Sequence, residues 1–251
     1  STVNDAVAEI KKSSDAKFLA GGMTMIPTLK ARLSSADLLV DLKGSDLSNI
    51  SVSSSEVVVG SMTRHCDVAS SSDIKGSLPA LAKLAGGIGD HMVRSCGTIG
   101  GSLANNDPAA CYPSAVLALG ATVVTNERSI TADDFFEGMF ETALNEDEII
   151  TEIKFPIPEK ASYIKFPNPA SRYAMVGVFM VKKAEGISVA VTGAGENGVF
   201  RSNEIENVLN SNFSLEALDN IQIPHDNLTS DIHASAAYRA NLIKEMAKKG
   251  L

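Results

Sequence analysis

Residues 97–113 read GTIGGSLANNDPAACYP. Gly100 and Gly101 follow a β-branched pair, and mostly small or polar residues run on from them to Asp107-Pro108. So little side-chain volume has two readings. The stretch is a turn, or something large lies against its backbone, because glycine allows a sharp bend and also leaves no Cβ in a ligand's way. Directly after it, YPSAVLALGATVVT (112–125) reads as a helix, a glycine stop at Gly120 and a strand.

A second pair, Gly21-Gly22, ends the short strand candidate KFLA. A helix, MTMIPTLKARL, starts just after it, with Pro27 tolerated in the first turns. Hydroxyl residues flank both pairs: Thr24 near the first, Thr98 and Ser102 around the second. Each pair alone is an ordinary turn signal. Successive free N–H groups in such turns, however, make an anion-binding concavity, and a helix N-terminus behind the first pair adds a favourable dipole. Two such loops on adjacent subdomains could grip one pyrophosphate from both sides. Together with the small residues of SLANND they suggest a dinucleotide bound in extended form.

The chain carrying these loops has 251 residues, 44% of them hydrophobic, with no Trp. That is enough for one large domain or two to three small ones with a mostly aliphatic core. A net charge of −8 argues against nucleic acid or an anionic membrane as partner, since both need a basic surface. There is no run of eighteen apolar residues and no basic-then-apolar leader, so neither a membrane span nor a secretory signal is expected. Cys66, Cys96 and Cys111 form no CxxC pair. A zinc or iron–sulfur site made by this chain alone is therefore not expected, and three reduced thiols fit a cytoplasmic protein.

Thr2 to Lys12 has apolar residues at helical spacing: Val3, Ala6, Val7 and Ile10. DLLVDL and EVVVGSM read as strands, separated by the turn-rich KGSDLSNISVSSS, which predicts a subdomain border. LPALAKLAGGIG reads as a helix stopped by glycines, and EDEIITEIKFPIP as a strand closed by Pro156 and Pro158. After Glu159 the texture changes to SYIKF, YAMVGVFMVKK, ISVAVTGAG and GVFRSNEI, a run of strands, with a helical tail from about Ser230 to Lys249. Strands in runs followed by helices argue for an α+β fold over a doubly wound sheet. Three parts are expected: 1–55, 56–158 and 159–251.

Two motifs mislead. GAGENG (193–198) matches a dinucleotide-binding glycine pattern, but that pattern must open a helix, and GVFRS continues as a strand. Asn197-Gly198 reads instead as a hairpin turn. His65-Cys66-Asp67 suggests a nucleophile cluster, yet three consecutive residues do not face one another in a helix or a strand. The four histidines show no metal-ligand spacing, so no metal site is expected.

Four segments in order carry a resemblance: LAGGMTMIPTLKAR (19–32), HMVRSCGTIGGSLANNDPAACYPSAVLALGA (91–121), EDEIITEIKFP (146–156) and YIKFPNPASRYAMVGV (163–178). With the tail AAYRANLIKEMAKKGL, they resemble the FAD-binding medium subunit of molybdenum hydroxylases over essentially the whole chain. That family includes the FAD subunit of aerobic carbon monoxide dehydrogenase and the FAD domain of xanthine dehydrogenase. The resemblance implies a two-part FAD-binding domain of the PCMH type, then a C-terminal domain of β-sheet plus helix. It implies non-covalent FAD, in keeping with the absence of His or Cys inside either diglycine loop.

Residue by residue, it assigns the pyrophosphate loop to Ala20, Gly21, Gly22, Met23, Thr24, Met25 and Ile26. The second loop falls on Thr98, Ile99, Gly100, Gly101 and Ser102, with Gly101 and Ser102 on the phosphates and Ile99 near the flavin. Ser102 stands where relatives often have Asn. Asp107 is implied near the ribose and adenine, and Ile150 on the adenine side. Lys165 matches a lysine of the family's Y-x-K strand, and Tyr173 an aromatic beside the isoalloxazine, the residue closest to a catalytic role. One departure stands out: Cys111 occupies the place of an aspartate that partners the ribose. A thiol is a poor acceptor, so that hydrogen bond is lost or moves to Asp107 or Asn106. The implied function is an electron-transfer subunit. It takes electrons from 2Fe–2S clusters on a small subunit, fed by a molybdopterin large subunit, and passes them to a terminal acceptor. The alternatives are a stand-alone flavin oxidase, for whose substrate domain 251 residues leave little room, or a redox-inactive nucleotide-binding scaffold.

Overall fold

In the computed structural model, which describes residues 2–251, four sheets share one chain, two of them only two-stranded. The first part begins with helix α1 (Val3–Ile10). Its first turn is closed by a capping box between Thr2 and Asp5. Strand β1 (Ala16–Leu19), helix α2 (Met25–Lys30) and strand β2 (Leu38–Asp41) follow. β1 and β2 pair in parallel, from Ala16 opposite Leu38 to Leu19 opposite Asp41, so α2 serves as their crossover. Ala6, Ile10, Val40 and Leu42 form its small core, joined by Ile149 from far along the chain.

The second part opens with β3 (Ile50–Val52) and β4 (Glu56–Gly60). Six helices follow: α3 (His65–Ser70), α4 (Ser72–Ser77), α5 (Pro79–Gly86), α6 (His91–Cys96), α7 (Ile99–Asn105) and α8 (Tyr112–Leu119). Then come β5 (Thr122–Thr125), β6 (Ser129–Thr131), the short α9 (Ala132–Phe135), the hairpin of β7 (Phe136–Gly138) with β8 (Glu141–Thr142), and β9 (Ile150–Pro156). The sheet runs β3-β4-β9-β5-β6, antiparallel throughout. Every residue of α8 is buried. Each of its large apolar side chains contributes about 2 kcal/mol by leaving water. The helix stops where Gly120 takes φ +62°, and Lys183 Nζ donates to the free carbonyl of Leu119 at 2.9 Å.

The third part is a four-stranded antiparallel sheet of β10 (Lys160–Pro167), β11 (Ala174–Lys183), β12 (Gly186–Thr192) and β13 (Phe200–Arg201), covered by α10 (Asn203–Ser211) and α11 (Ala236–Gly250). Arg239 of α11 is almost fully buried, donating to the carbonyls of Met175 and Gly193 and to Asp231, each at 2.8 Å. These bonds fix the long helix to the ends of β11 and β12. The GAGENG segment joins β12 to β13, which pair antiparallel; Gly193 and Gly198 hold φ of +82° and +101°, and no helix opens in it.

Several expectations need correcting. The turn-rich segment before Glu56 contains β3, which pairs with β4, so a border at residue 55 would split a hairpin. GVFRSNEI is a strand only at Phe200-Arg201; the rest begins α10, where Ile205 and Leu209 recur at helical spacing and are buried. The tail helix starts at Ala236, after the Ser235 side chain accepts the Tyr238 N–H, and not at Ser230.

A candidate flavin-dinucleotide cleft

The strand β1 delivers the chain into Ala20-Gly21-Gly22, and α2 begins at Met25. The N–H groups of Gly21, Gly22, Met23, Thr24 and Met25 have no acceptor among the described residues. Five successive donors, bent by Gly22 at φ +70°, form the concavity an anion needs. Gly21 has a further reason to lack a side chain. A Cβ there would lie 2.1 Å from the Cys96 carbonyl oxygen, so the first part rests directly on the backbone after α6.

The second glycine pair is built differently from expectation. It is the first turn of helix α7, not a loop. Thr98 caps it, its hydroxyl accepting the Gly101 N–H at 3.1 Å, while Ser102 N–H reaches the Thr98 carbonyl. Ile99 N–H goes to Thr63 and Gly100 N–H to Ser61. These amides are therefore already engaged. Gly100 is small because Ser61 presses on it, with a built Cβ only 2.5 Å from Ser61 Cβ. A Cβ on Gly101 would meet Thr98 Oγ1 at 2.9 Å and Ala20 Cβ at 3.5 Å, across the gap to the first loop. The polar residues that follow are also structural. Asn106, buried at φ +40°, donates from its amide to the carbonyls of Gly138 and Glu141, and the end of β12 holds Pro108 through the Thr192 hydroxyl and the N–H of the next residue, Gly193.

Between the two glycine pairs and the third sheet lies a cleft of about 710 Å³. That is within the usual range for small-molecule sites. Ala20 to Met25, Thr98, Gly100, Gly101, Ser102, Asp107, Cys111, Ile150, Lys165 and Tyr173 all line it. Ile26 and Ile99 do not: Ile99 is wholly buried in the core of the second part. Asp107 is half-buried; burial raises its carboxyl pKa, opposed by the Ala109 N–H that it accepts at 2.8 Å. Tyr173 is half-exposed on the wall, its phenol pKa raised by burial and then by the Asp107 charge. Cys111 is buried, with its sulfur 3.7 Å from Lys165 Nζ.

The structure brings in residues that the sequence did not single out for the site. His65 lines the cleft, almost fully buried, with Nδ1 unpartnered. Burial, helped by the Arg94 charge, lowers its pKa to about 4, so it is neutral at pH 7. Arg172, at φ +62°, and Glu148 line it too. Nothing in the local spacing of His65 marks it; only the fold turns α3 toward the cleft. No group of three or more His, Cys, Asp or Glu able to hold a metal occurs among the described residues. Nor is any described helix long and apolar enough to cross a membrane.

An anion-binding cradle of free amides on one wall and an apolar-to-polar second wall from another sheet define a dinucleotide site. The fit to FAD rests on those five unpaired donors, which match a pyrophosphate. Residues 1–158 match the family described as FAD binding domain in molybdopterin dehydrogenase. The chain belongs to that family. It is similar to the glyceraldehyde dehydrogenase medium chain of Sulfolobus acidocaldarius, 31% identical over 99% of this chain and 94% of that one. It is likewise similar to the carbon monoxide dehydrogenase medium chain of Hydrogenophaga pseudoflava, 31% identical over 100% and 93%. Among solved structures, reconstituted CO dehydrogenase from Oligotropha carboxidovorans superposes with a TM-score of 0.88, at 29% identity over 99% of this chain and 93% of that chain.

Proposed function

We propose that this chain is the FAD-carrying electron-transfer subunit of a molybdenum hydroxylase, holding the dinucleotide in the cleft. The observation that carries this is the row of unpaired amides from Gly21 to Met25 in a chain of the FAD-binding family. FAD supplies the redox chemistry; the protein supplies binding, orientation and electrostatics. The Gly21–Met25 amides would hold the pyrophosphate. Gly101 leaves room opposite them, Asp107 and Ile150 offer an acceptor and an apolar contact further along, and Tyr173 flanks the ring end. His65, neutral and enclosed, closes the cleft floor without adding charge.

Relatives named medium chains support partners that hold the other redox groups: a molybdopterin large subunit and a small subunit with 2Fe–2S clusters. Three unpaired cysteines support a cytoplasmic location. We place the first internal border within residues 43–49, which keeps β3 with β4, and the second near residue 159. The test is direct. The purified chain should show a flavin absorption spectrum, and acid precipitation should release the flavin to the supernatant. A colourless chain that takes up no added FAD would refute the assignment; flavin kept in the pellet would refute non-covalent binding.

A further inference from the structure

Between α7 and α8 the chain runs from Asp107 to Cys111 without regular structure. Asp107, Ala109, Ala110 and Cys111 all line the cleft. Where such a segment stands is set by where its backbone hydrogen bonds go. Two of them are local: Asp107 takes the Ala109 N–H on its carboxylate at 2.8 Å and the Ala110 N–H on its carbonyl at 2.9 Å. These shape the turn and fix it to nothing else.

The fixing comes from behind the wall. Thr192, the last residue of β12, is wholly buried and does not line the cleft. Its hydroxyl lies 3.0 Å from the Pro108 carbonyl and 2.6 Å from the Ala110 carbonyl, one donor shared by two acceptors. The next residue, Gly193, gives its N–H to the same Pro108 carbonyl at 2.8 Å. The Ala110 carbonyl has no other donor among the described residues. The support is itself firmly held. Gly193 stands at φ +82° with no room for a Cβ against the Ala174 carbonyl, and its own carbonyl takes the buried Arg239 guanidinium at 2.8 Å. A line of bonds thus runs from α11 through the end of β12 to the backs of Pro108 and Ala110. Thr192 lies beyond residue 158, where the match to the FAD-binding family ends.

We propose that Thr192 is a positioning residue for the cofactor cleft. From the third part, through the carbonyls of Pro108 and Ala110, it sets where Asp107 and Cys111 stand on the cleft wall. The inference rests on the cleft being the FAD site. Thr192 does not reach the cleft, so its effect on binding passes entirely through residues 107–111. The amides from Gly21 to Met25 belong to the first part and share no hydrogen bond with that segment. A ligand held by those amides alone is therefore indifferent to Thr192.

The experiment has two arms. In flavin-free protein, hydrogen exchange is followed in the wild type, Thr192→Val, Thr192→Ala and Thr192→Ser. Exchange at Ala109, Ala110 and Gly193 should rise at least about fivefold in the Val and Ala variants. It should stay near wild type in Thr192→Ser, which keeps the donor, and the amides of Val176 to Val181 in β11 should not change in any variant. Unchanged rates at Ala109 and Ala110, or an equal rise across β11, overturn the proposal. This arm stands even if the chain takes up no flavin, a result that would refute the FAD reading itself. The second arm titrates FAD and inorganic pyrophosphate. FAD should bind about tenfold more weakly to the Val and Ala variants and near normally to Thr192→Ser. Pyrophosphate, which needs only the amide cradle, should bind all four proteins alike. Equal loss of both ligands would make Thr192 a general support of the fold, and unchanged FAD affinity would leave it without a role at the cleft; either overturns the proposal.

Discussion

At the residue scale, the glycines of the cleft divide by cause. Gly22 is required by its own backbone, since φ +70° costs a residue with a Cβ about 1 kcal/mol. Gly22→Ala should bend the amide cradle and weaken FAD binding about fivefold, measured by flavin fluorescence titration; unchanged affinity would remove the cradle from the site. Gly101 is required by what faces it. The branched side chain of Gly101→Val would collide with Thr98 and Ala20, so flavin content should fall to near zero while far-UV dichroism stays close to wild type. Normal flavin content in that variant would count against the placement. The need for small residues was legible in the sequence because glycine pairs are rare and patterned. The reason for Gly21 and Gly100 was not: both are pressed by distant backbone, Cys96 and Ser61, which no local spacing reveals.

At the element scale, polar staples hold the segments that bound the cleft. The link from β8 to β9 is tied by Glu148, whose carboxylate accepts from Thr125 Oγ1 at 2.7 Å, from Arg128 Nε and Nη2 at 3.0 Å, and from the Asn145 N–H at 3.0 Å. Burial alone would raise its pKa; the hydrogen bonds outweigh that and bring it to about 2 from the ordinary 4.5. A lowered folded-state pKa stabilises the fold above the unfolded value and is lost as pH falls toward the folded one. The wild type should therefore lose about 2 kcal/mol between pH 5 and pH 3 from this group. Urea unfolding at the two pH values checks it: Glu148→Gln should be less stable at pH 7 and should lose much less on acidification. In the third part, Arg239→Met leaves the Met175 and Gly193 carbonyls without their guanidinium donor at a buried place and removes the ion pair with the exposed Asp231. A loss of about 3 kcal/mol is expected, read as a fall in melting temperature. A variant as stable as wild type would mean that water replaces the guanidinium. The capped or strongly periodic elements, α1, α8 and β9, were readable from local pattern. β3, α6 and α10 were not, because three to nine residues with mixed polarity take their structure from the neighbours they pair with.

At the scale of the whole molecule, the cleft exists only because three parts meet. Gly21 presses on the Cys96–Gly97 backbone, and Thr192 and Gly193 of the third part hold Pro108 beside Asp107. Gly21→Ala should separate the first part from the second. It should remove bound flavin and expose residues 19–30 to limited proteolysis, with the second and third parts left resistant. On the proposed function such a site carries electrons, and the hydroxylase substrate is selected on a partner. The isolated chain should be reduced by dithionite and by no hydroxylase substrate, until the molybdenum and iron–sulfur partners are added. Turnover of a small organic substrate by the lone chain at about 1 per second or faster, the range of a working enzyme, would favour a stand-alone oxidase.

The sequence by itself determined the class of fold, the order of the motifs and the family. Those depend on apolar periodicity, glycine placement and ordered segments, all of which are local. It also marked most of the cleft lining, because backbone that must stay bare leaves a pattern of small residues. Tertiary structure decided which glycine amides are free. The first pair follows a strand end with nothing to bond, whereas the second is the capped first turn of α7, engaged by Thr98, Ser61 and Thr63. It also decided that Ile99 belongs to the core and that His65 belongs to the cleft. Hydrogen-bond satisfaction depends on partners tens of residues away, and only the folded chain brings them within reach.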